Sequence, residues 1–289
     1  MAYLGPEGTF TEEALLAGAA PGAVEPAARG SIFDTVQALR AGEVHWAIVP
    51  IENSLDGSVS ATLDLLADDG GGLAIVAEEL LGVRHSLIGS SDVELSRVRV
   101  VLTHPQVPGQ CVRFLRGELA HASVLAAPST AEAVRSVVAD DQPERAAIGT
   151  LLAARIYGGV VLREGVQDRE DNETRFVWLA RAGEDREPPL GAREAGPWKT
   201  SIVFWGDGAG SPGWLVRCLN ELGDRKVNLT RIESRPRRDR LGNYMFFADL
   251  VGRAEDEAVA EALDSMRSLC EEVRVLGSYR AAMPATLRP

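Results

Sequence analysis

The stretch WAIVPIENS, residues 46–54, passes from apolar to polar within a few residues. Trp46 to Ile51 reads as a strand, and Glu52, Asn53 and Ser54 close it with polar groups. Ligands of open α/β sheets bind outside the carboxyl ends of strands. Asn53 and Ser54 are uncharged donors suited to a carboxylate or hydroxyl. The same residues, with Gly57 and Ser58 after them, also suit a turn and the cap of a following helix.

Outward from this strand the pattern repeats. Leu73 to Val76, Val98 to Leu102 and Ser123 to Ala126 read as strands. Ser31 to Arg40 and Thr130 to Ala139 read as helices opening at a Ser or Thr, and Ala131, Val134, Val137 and Val138 share one face of the second. Strands alternating with helices predict an α/β domain with a mainly parallel sheet. From Ala180 to Gly196 the chain is charged, rich in Pro and Gly, and without hydrophobic period, as in an interdomain linker. Beyond it, strand Thr200–Trp205, helix Pro212–Leu222, strands Lys226–Glu233 and Asn243–Val251, helix Asp256–Leu269 and strand Glu272–Tyr279 follow in the ferredoxin-like order βαββαβ.

The 289 residues, 45% hydrophobic and 25% charged, suit two or three globular units. A net charge of -12 argues against general affinity for nucleic acid or anionic membranes, which need a positive field. No secretory signal is read at the start, and no apolar run approaches the ~20 residues of a membrane span. Cys111, Cys218 and Cys270 are far apart in sequence and form neither a metal-ligand spacing nor a disulfide framework, consistent with thiols in a reducing cytoplasm.

Three further clusters could carry chemistry. Gly5-Pro6-Glu7-Gly8-Thr9-Phe10-Thr11 turns into a helix, whose first N–H groups with the Thr9 and Thr11 hydroxyls make an anion site or a plain βα turn. Thr103-His104-Pro105-Gln106, with Gln110 and Cys111, follows another apolar strand; His104 could titrate near neutrality or simply shape the turn. In Glu173-Thr174-Arg175-Phe176, a hydroxyl sits beside a permanent cation able to grip a carboxylate. Strand alternation puts Thr174 and Phe176 on one face and Arg175 on the other unless the backbone bends. Among so many acidic neighbours, Arg175 also suits a loop salt bridge.

Taken together, GPEGTF (5–10), VPIENS (49–54), HPQ with QC (104–111) and YGGVVLREGVQDREDNETRF (157–176) resemble the prephenate dehydratase family in order and separation. VNLTRIESRP (227–236) resembles the effector segment of an ACT domain. The resemblance implies a two-lobed catalytic domain like a type 2 periplasmic binding protein, residues 1–180, with its active site between the lobes. Lobe one would be 1–78 and 162–180, and lobe two 79–161, with hinges near Glu78–Leu81 and Tyr157–Leu162. A linker (181–196), an ACT domain (197–280) and a tail (281–289) would follow. Thr174 and Arg175 are the catalytic residues so implied; Thr9, Asn53, Ser54, Gln110 and Phe176 are the substrate-binding set, with Phe176 suited to packing beneath the site. Asn228, Leu229, Glu233 and Ser234 would line an effector pocket for phenylalanine at the interface of a homodimer or homotetramer.

The implied reaction converts prephenate to phenylpyruvate without metal or organic cofactor, under feedback by phenylalanine, in the cytoplasm. Arogenate as substrate, a nonaromatising prephenate decarboxylase and a noncatalytic ligand-binding regulator are the competing readings. Val107-Pro108-Gly109 departs from the family's Ala-Leu-Ala-like stretch before Gln110. Trp214 replaces the Ala of the family's Gly-Ala-Leu motif; it would fill the effector pocket, change its selectivity or point away. Arg235, Arg237, Arg238 and Arg240 read as a solvated hairpin.

Overall fold

The computed structural model describes residues 1–68, 72–184, 187–192, 196–206, 211–238 and 242–283. The chain begins with β1 (Ala2–Leu4), α1 (Phe10–Gly18), β2 (Ala27–Arg29), α2 (Ile32–Arg40), β3 (Ala47–Asn53), β4 (Gly57–Ser58), α3 (Ser60–Ala67) and β5 (Leu73–Gly82). It then crosses to a second lobe: β6 (Ser86–Gly89), β7 (Val100–Thr103), α4 (Val107–Gln110), α5 (Val112–Gly117), β8 (Ser123–Ala126), α6 (Thr130–Asp140), β9 (Arg145–Gly149), α7 (Leu151–Tyr157) and β10 (Val160–Arg163). It returns to the first lobe as β11 (Glu173–Arg181).

The first sheet has the order β2-β1-β3-β11-β5, and the second β10-β6-β9-β7-β8. Helix starts follow local chemistry. The Ser31 hydroxyl accepts from Asp34 N at 3.0 Å and opens α2. Ser129, one residue before the expected Thr130, caps α6 in the same way through Glu132 N. Two expectations need correction. The sheets are mixed: β1–β2, β1–β3, β7–β8 and β7–β9 are parallel, while β11 is antiparallel to both neighbours and β6 to β9 and β10. Apart from the short β3–β4 hairpin, the antiparallel pairs of the two lobes involve strands flanking the two crossings, where the returning chain reverses direction. The crossings themselves fall at 83–85 and 164–172, later than read from sequence, because β5 stays bonded to β11 through Gly82 and β10 pairs with β6.

After a segment whose Pro189 and Leu190 are bonded back onto the end of α1, the C-terminal domain runs β12 (Trp198–Trp205), α8 (Trp214–Asp224), β13 (Leu229–Pro236), β14 (Tyr244–Val251), α9 (Glu257–Leu269) and β15 (Glu272–Arg280). This is the βαββαβ order, folded into an antiparallel sheet β13-β14-β12-β15. One face of that sheet carries α8 and α9 around a core that includes Ile202, Phe204, Leu250 and Leu263. Trp214 lies inside this core, its ring 6.1 Å from Phe204 and its Nε1 donating to Leu269 O at 2.7 Å. Cys218 and Cys270, distant in sequence, are brought to 3.6 Å there as thiols.

The other face docks on the first lobe. Val203, Met245, Phe247, Leu276 and Tyr279 share one apolar cluster with Ile75, Val177 and Leu179. Each large apolar side chain so buried contributes ~1.5–3 kcal/mol. The approach of β15 to β5 is close enough to require glycine: a Cβ on Gly277 would lie 2.0 Å from the Ile75 carbonyl oxygen. No helix among the described residues is long and apolar enough to cross a membrane.

Candidate active site

A cleft of about 1070 Å³ opens between the two lobes. β3 delivers Asn53 to its floor. The Asn53 Oδ1 accepts from the backbone N–H groups of Leu55 and Asp56, both at 2.9 Å. That fixes the amide's orientation and turns its Nδ2 toward Thr174 Oγ1, also 2.9 Å away. Nδ2 further reaches Asn172 Oδ1 at 2.9 Å and Glu173 O at 3.2 Å. Because Thr174 Oγ1 accepts from Asn53, the hydroxyl keeps its own proton for an acceptor in the cleft. Ser54 stands behind this pair: its Oγ accepts from Glu173 N at 3.0 Å and donates to Asn172 Oδ1 at 3.3 Å. Thr9, Asn53, Gln110 and Thr174 line the cleft; Ser54, Arg175 and Phe176 do not.

The facing wall is organised by Gln110 at the end of α4. Its Nε2 donates to Asp56 Oδ2 at 3.1 Å across the cleft, and its Oε1 accepts from Asn172 Nδ2 at 3.2 Å. The same oxygen lies 3.1 Å from His85 Nε2. With both partners of that oxygen acting as donors, His85 carries its proton on Nε2. Its Nδ1 is buried with no hydrogen-bond partner among the described residues. Burial pushes the His85 pKa down, the bond to Gln110 opposing this, so the ring is neutral near pH 7. Sequence reasoning missed His85: a lone histidine at a lobe crossing belongs to no pattern. His104 also lines the cleft, its Nδ1 3.5 Å from Gln106 N.

The lobes touch at the GPEGTF segment. Thr150 Oγ1 donates to Gly8 O at 2.6 Å, and Tyr157 OH donates to Glu7 O at 2.8 Å. Gly8 has φ +83°, and a Cβ there would lie 2.8 Å from Ala153 Cα, so both conformation and space demand glycine. Thr9 precedes α1 and donates to Leu4 O at 3.0 Å. The N-terminal ends of α1, α3, α4 and α6 all contribute residues to the cleft wall. Their N–H groups and dipoles favour anions. Arg29 is the one arginine or lysine among the lining residues, which also include the acids Asp56 and Glu132, and its Nη2 pairs with Glu43 at 3.3 Å.

Arg175 needs correction as a substrate ligand. It alternates away from Thr174 and points to the opposite face of β11, where Glu78, Asp249 and Tyr279 receive its guanidinium at 2.7, 2.6 and 2.8 Å. Two of these partners belong to the C-terminal domain. Phe176, on the Thr174 face, is buried with Tyr3, Ile48 and Trp178 in the core beneath the cleft, so it is likewise a packing residue and not a cleft residue.

On the edge strand β13, burial alternates: Leu229, Arg231, Glu233 and Arg235 are half-buried, while Thr230, Ile232 and Ser234 are exposed. Arg231 donates to Ser58 Oγ at 2.8 Å and Arg235 grips Asp64 at 2.8 and 2.9 Å, tying this strand to the first lobe. The expected effector residues are therefore divided: Leu229 and Glu233 are half-buried, while Asn228 and Ser234 are exposed. Arg238 is exposed, as expected of a solvated hairpin, and also pairs with Asp64, while Arg237 pairs with Glu271 at 2.9 Å; Arg240 lies outside the described residues.

Comparison with known proteins adds the family. Residues 1–184 match the family model for prephenate dehydratase, and residues 209–267 that for the ACT domain. The prephenate dehydratase of Mycolicibacterium vanbaalenii is 42% identical over 96% of this chain and 90% of its own length. That of Mycobacterium tuberculosis is 41% identical over 100% and 89%. Among solved structures, a prephenate dehydratase from Arthrobacter aurescens in complex with L-Phe superposes with a TM-score of 0.84 at 36% identity, covering 100% of this chain and 91% of that one. A protein described as a novel type of quorum quenching acylase superposes with a TM-score of 0.82 at 28% identity, over 97% of both chains.

Proposed function

The chain belongs to the prephenate dehydratase family, and from that premise we propose how its cleft converts prephenate to phenylpyruvate. Prephenate carries two carboxylates and a ring hydroxyl. The bond from the ring to its carboxylate breaks and carbon dioxide leaves. That electron pair enters the ring, and the C–O bond on the far side breaks. The departing oxygen takes up one proton and leaves as water, so the dianion plus one proton gives the phenylpyruvate anion, carbon dioxide and water. Aromatisation drives the change.

The observation that carries this reading is the Asn53–Thr174 hydrogen bond, with Asn53 itself held by two backbone donors. It turns the Thr174 hydroxyl into a directed donor for the leaving oxygen, while the proton finally consumed comes from solvent. A directed donor of this kind contributes on the order of 3 kcal/mol to the barrier. The backbone N–H of Thr9 and the N-terminus of α1 receive one substrate carboxylate, the Thr9 hydroxyl being donated to Leu4 O, and Gln110 orients the ring. Ser54 holds Asn172 and so keeps the Asn53–Thr174 pair in register. Acyl transfer is less well served: a hydroxyl nucleophile needs a base beside it, and Thr174 is bonded to an amide N–H.

The ACT domain gives the enzyme feedback control by phenylalanine. We place that site along Asn228, Leu229, Glu233 and Ser234, completed by β13 of a second copy in a dimer or tetramer. An edge strand with an exposed row of side chains suits such pairing. Binding shifts the balance of open and closed clefts. Trp214 supports the domain from within its core and leaves this strand clear. Residues 1–180 as catalytic domain, 197–280 as regulatory domain and a cytoplasmic location complete the assignment.

The test is incubation of the purified chain with prephenate, following phenylpyruvate absorbance in alkali with and without phenylalanine. Turnover suppressed by phenylalanine supports both sites. No phenylpyruvate from folded protein rejects the catalytic reading, and phenylalanine formed from arogenate would reassign the substrate.

A further inference from the structure

We infer that Arg175 is a positioning residue for Thr174, and that its cluster with Glu78, Asp249 and Tyr279 is where the C-terminal domain sets the geometry of the reacting cleft. The inference rests on the role of Thr174 proposed above.

Arg175 follows Thr174 directly on β11, so the position of its Cα constrains the Thr174 hydroxyl. Its three guanidinium nitrogens are assigned to three strands: Nε to Glu78 on β5, Nη1 to Asp249 on β14 and Nη2 to Tyr279 on β15. The two C-terminal groups are themselves cross-braced, for Ser201 Oγ on β12 donates to Asp249 Oδ1 at 2.5 Å and lies 2.6 Å from Tyr279 OH. Lys199 at the start of the same strand bonds both oxygens of Glu78, at 2.7 and 2.9 Å. Arg175 Nη1 also lies 3.6 Å from Glu52 Oε2, which Arg231 approaches at 3.3 Å, so three cations, Arg175, Lys199 and Arg231, face three carboxylates, Glu78, Asp249 and Glu52, around a buried centre of Arg175, Glu78 and Asp249. A buried ion cluster is a poor source of stability, because desolvation offsets attraction; it fixes a register instead. Apolar side chains would have sealed this junction as well, as they do around it. The planar fork of arginine, addressed at three points, aligns three strands at once.

Beside this anchor the ladder is irregular. Pairing of β11 with β3 shifts register between Arg175 and Phe176. The extra residue is Ile51 on β3, between Glu52 and Pro50, while β11 pairs with β5 without a break from Glu173 to Trp178, so Thr174 and Arg175 are held as one regular unit of strand. A small displacement of the C-terminal sheet on β5 therefore reaches Thr174 through one side chain and one peptide of a regularly paired strand. A misplacement of ~1 Å at a reacting group is worth ~100-fold in rate.

The experiment compares Arg175→Lys, Asp249→Asn and Tyr279→Phe with the parent enzyme in steady-state kinetics on prephenate, with phenylalanine titrated, and with phenylalanine binding measured by calorimetry. Arg175→Lys keeps the charge and loses the fork; kcat should fall roughly 100-fold with KM within about threefold. Tyr279→Phe and Asp249→Asn each remove one contact of the fork without changing a residue that lines the cleft; residual turnover at saturating phenylalanine should rise at least about tenfold over the parent while calorimetric affinity changes less than about threefold. If Arg175 instead binds substrate, Arg175→Lys raises KM about tenfold or more and the two C-terminal variants respond to phenylalanine as the parent does, which overturns the inference. Thermal melting establishes folding; should Arg175→Lys not fold, the two C-terminal variants alone decide. A parent enzyme without turnover defeats the functional proposal. Turnover in the parent, loss in Thr174→Ala and normal kcat and inhibition in these three variants defeat only the positioning role.

Discussion

The two faces of β11 are built from opposite materials. On the cleft face, Thr174 is held by amides: Asn53, then Asn172 and Gln110. On the other face, one residue later, Arg175 is held by charges: Glu78 and Asp249, with Lys199 behind Glu78. A dianion that must lose one carboxylate is poorly served by a fixed cation that stabilises it as it stands, since only interactions stronger in the transition state accelerate the reaction. Oriented amides and hydroxyls hold direction without locking charge. At the domain junction no charge changes hands, and full ion pairs supply alignment.

Variants on either face can break this contrast. The largest effect belongs to Thr174→Ala, which should lose about 100-fold or more in kcat, near 3 kcal/mol, with unchanged melting; near-normal turnover would empty the cleft face of its role. On the junction face, Gly277→Ala forces a Cβ to within 2.0 Å of the Ile75 carbonyl. Prising β15 off β5 should cost ~2 kcal/mol in chemical denaturation, and an unchanged midpoint would mean the domains are not rigidly docked. Asn53→Asp keeps the acceptor for Leu55 and Asp56 and removes the N–H donated to Thr174. It should lower kcat roughly tenfold, the worth of one hydrogen bond; equal loss in Asn53→Ala would assign the effect to the donor, whereas near-parent turnover in Asn53→Asp with loss only in Asn53→Ala would show the turn rather than the donor to matter.

The smallest effect is a slope. Burial alone would raise the Asp249 carboxyl, but the Arg175 guanidinium beside it, with the Ser201 hydroxyl and Arg231, reverses this and holds it below the usual carboxylate range. A carboxyl with a depressed folded pKa stabilises above its unfolded value, near 3.9, and loses that contribution as pH falls through the folded value. The melting temperature of the parent should therefore fall more steeply below about pH 4 than that of Asp249→Asn. Parallel curves would place the charge of the junction elsewhere.

Sequence reading reaches one face of this strand better than the other. The order of strands and helices, the Ser31 cap and the βαββαβ domain all follow from local periodicity, which neighbours in sequence carry. Alternation also separates Thr174 from Arg175. What lies opposite Arg175 is invisible, because Asp249 and Tyr279 are 74 and 104 residues away and neither carries a motif. His85 escaped for a related reason: its partners, Gln110 and Gln167, are 25 and 82 residues away. The mixed sheets were hidden too, since strand direction depends on where the chain crosses, and crossing points have no composition of their own.

The position of β11 also governs how the molecule can be made. It is an inner strand of the first sheet, bonded to β3 on one side and β5 on the other. Yet it is synthesised only after the whole of the second lobe. As the nascent chain emerges, β3 and β5 must wait with an empty lane between them until residues 173–181 arrive, while the second lobe, complete by β10, is free to fold ahead of its host. The first lobe is thus finished late, by the very strand that carries Thr174, and a ribosome stalled inside the second lobe releases a chain with no active site.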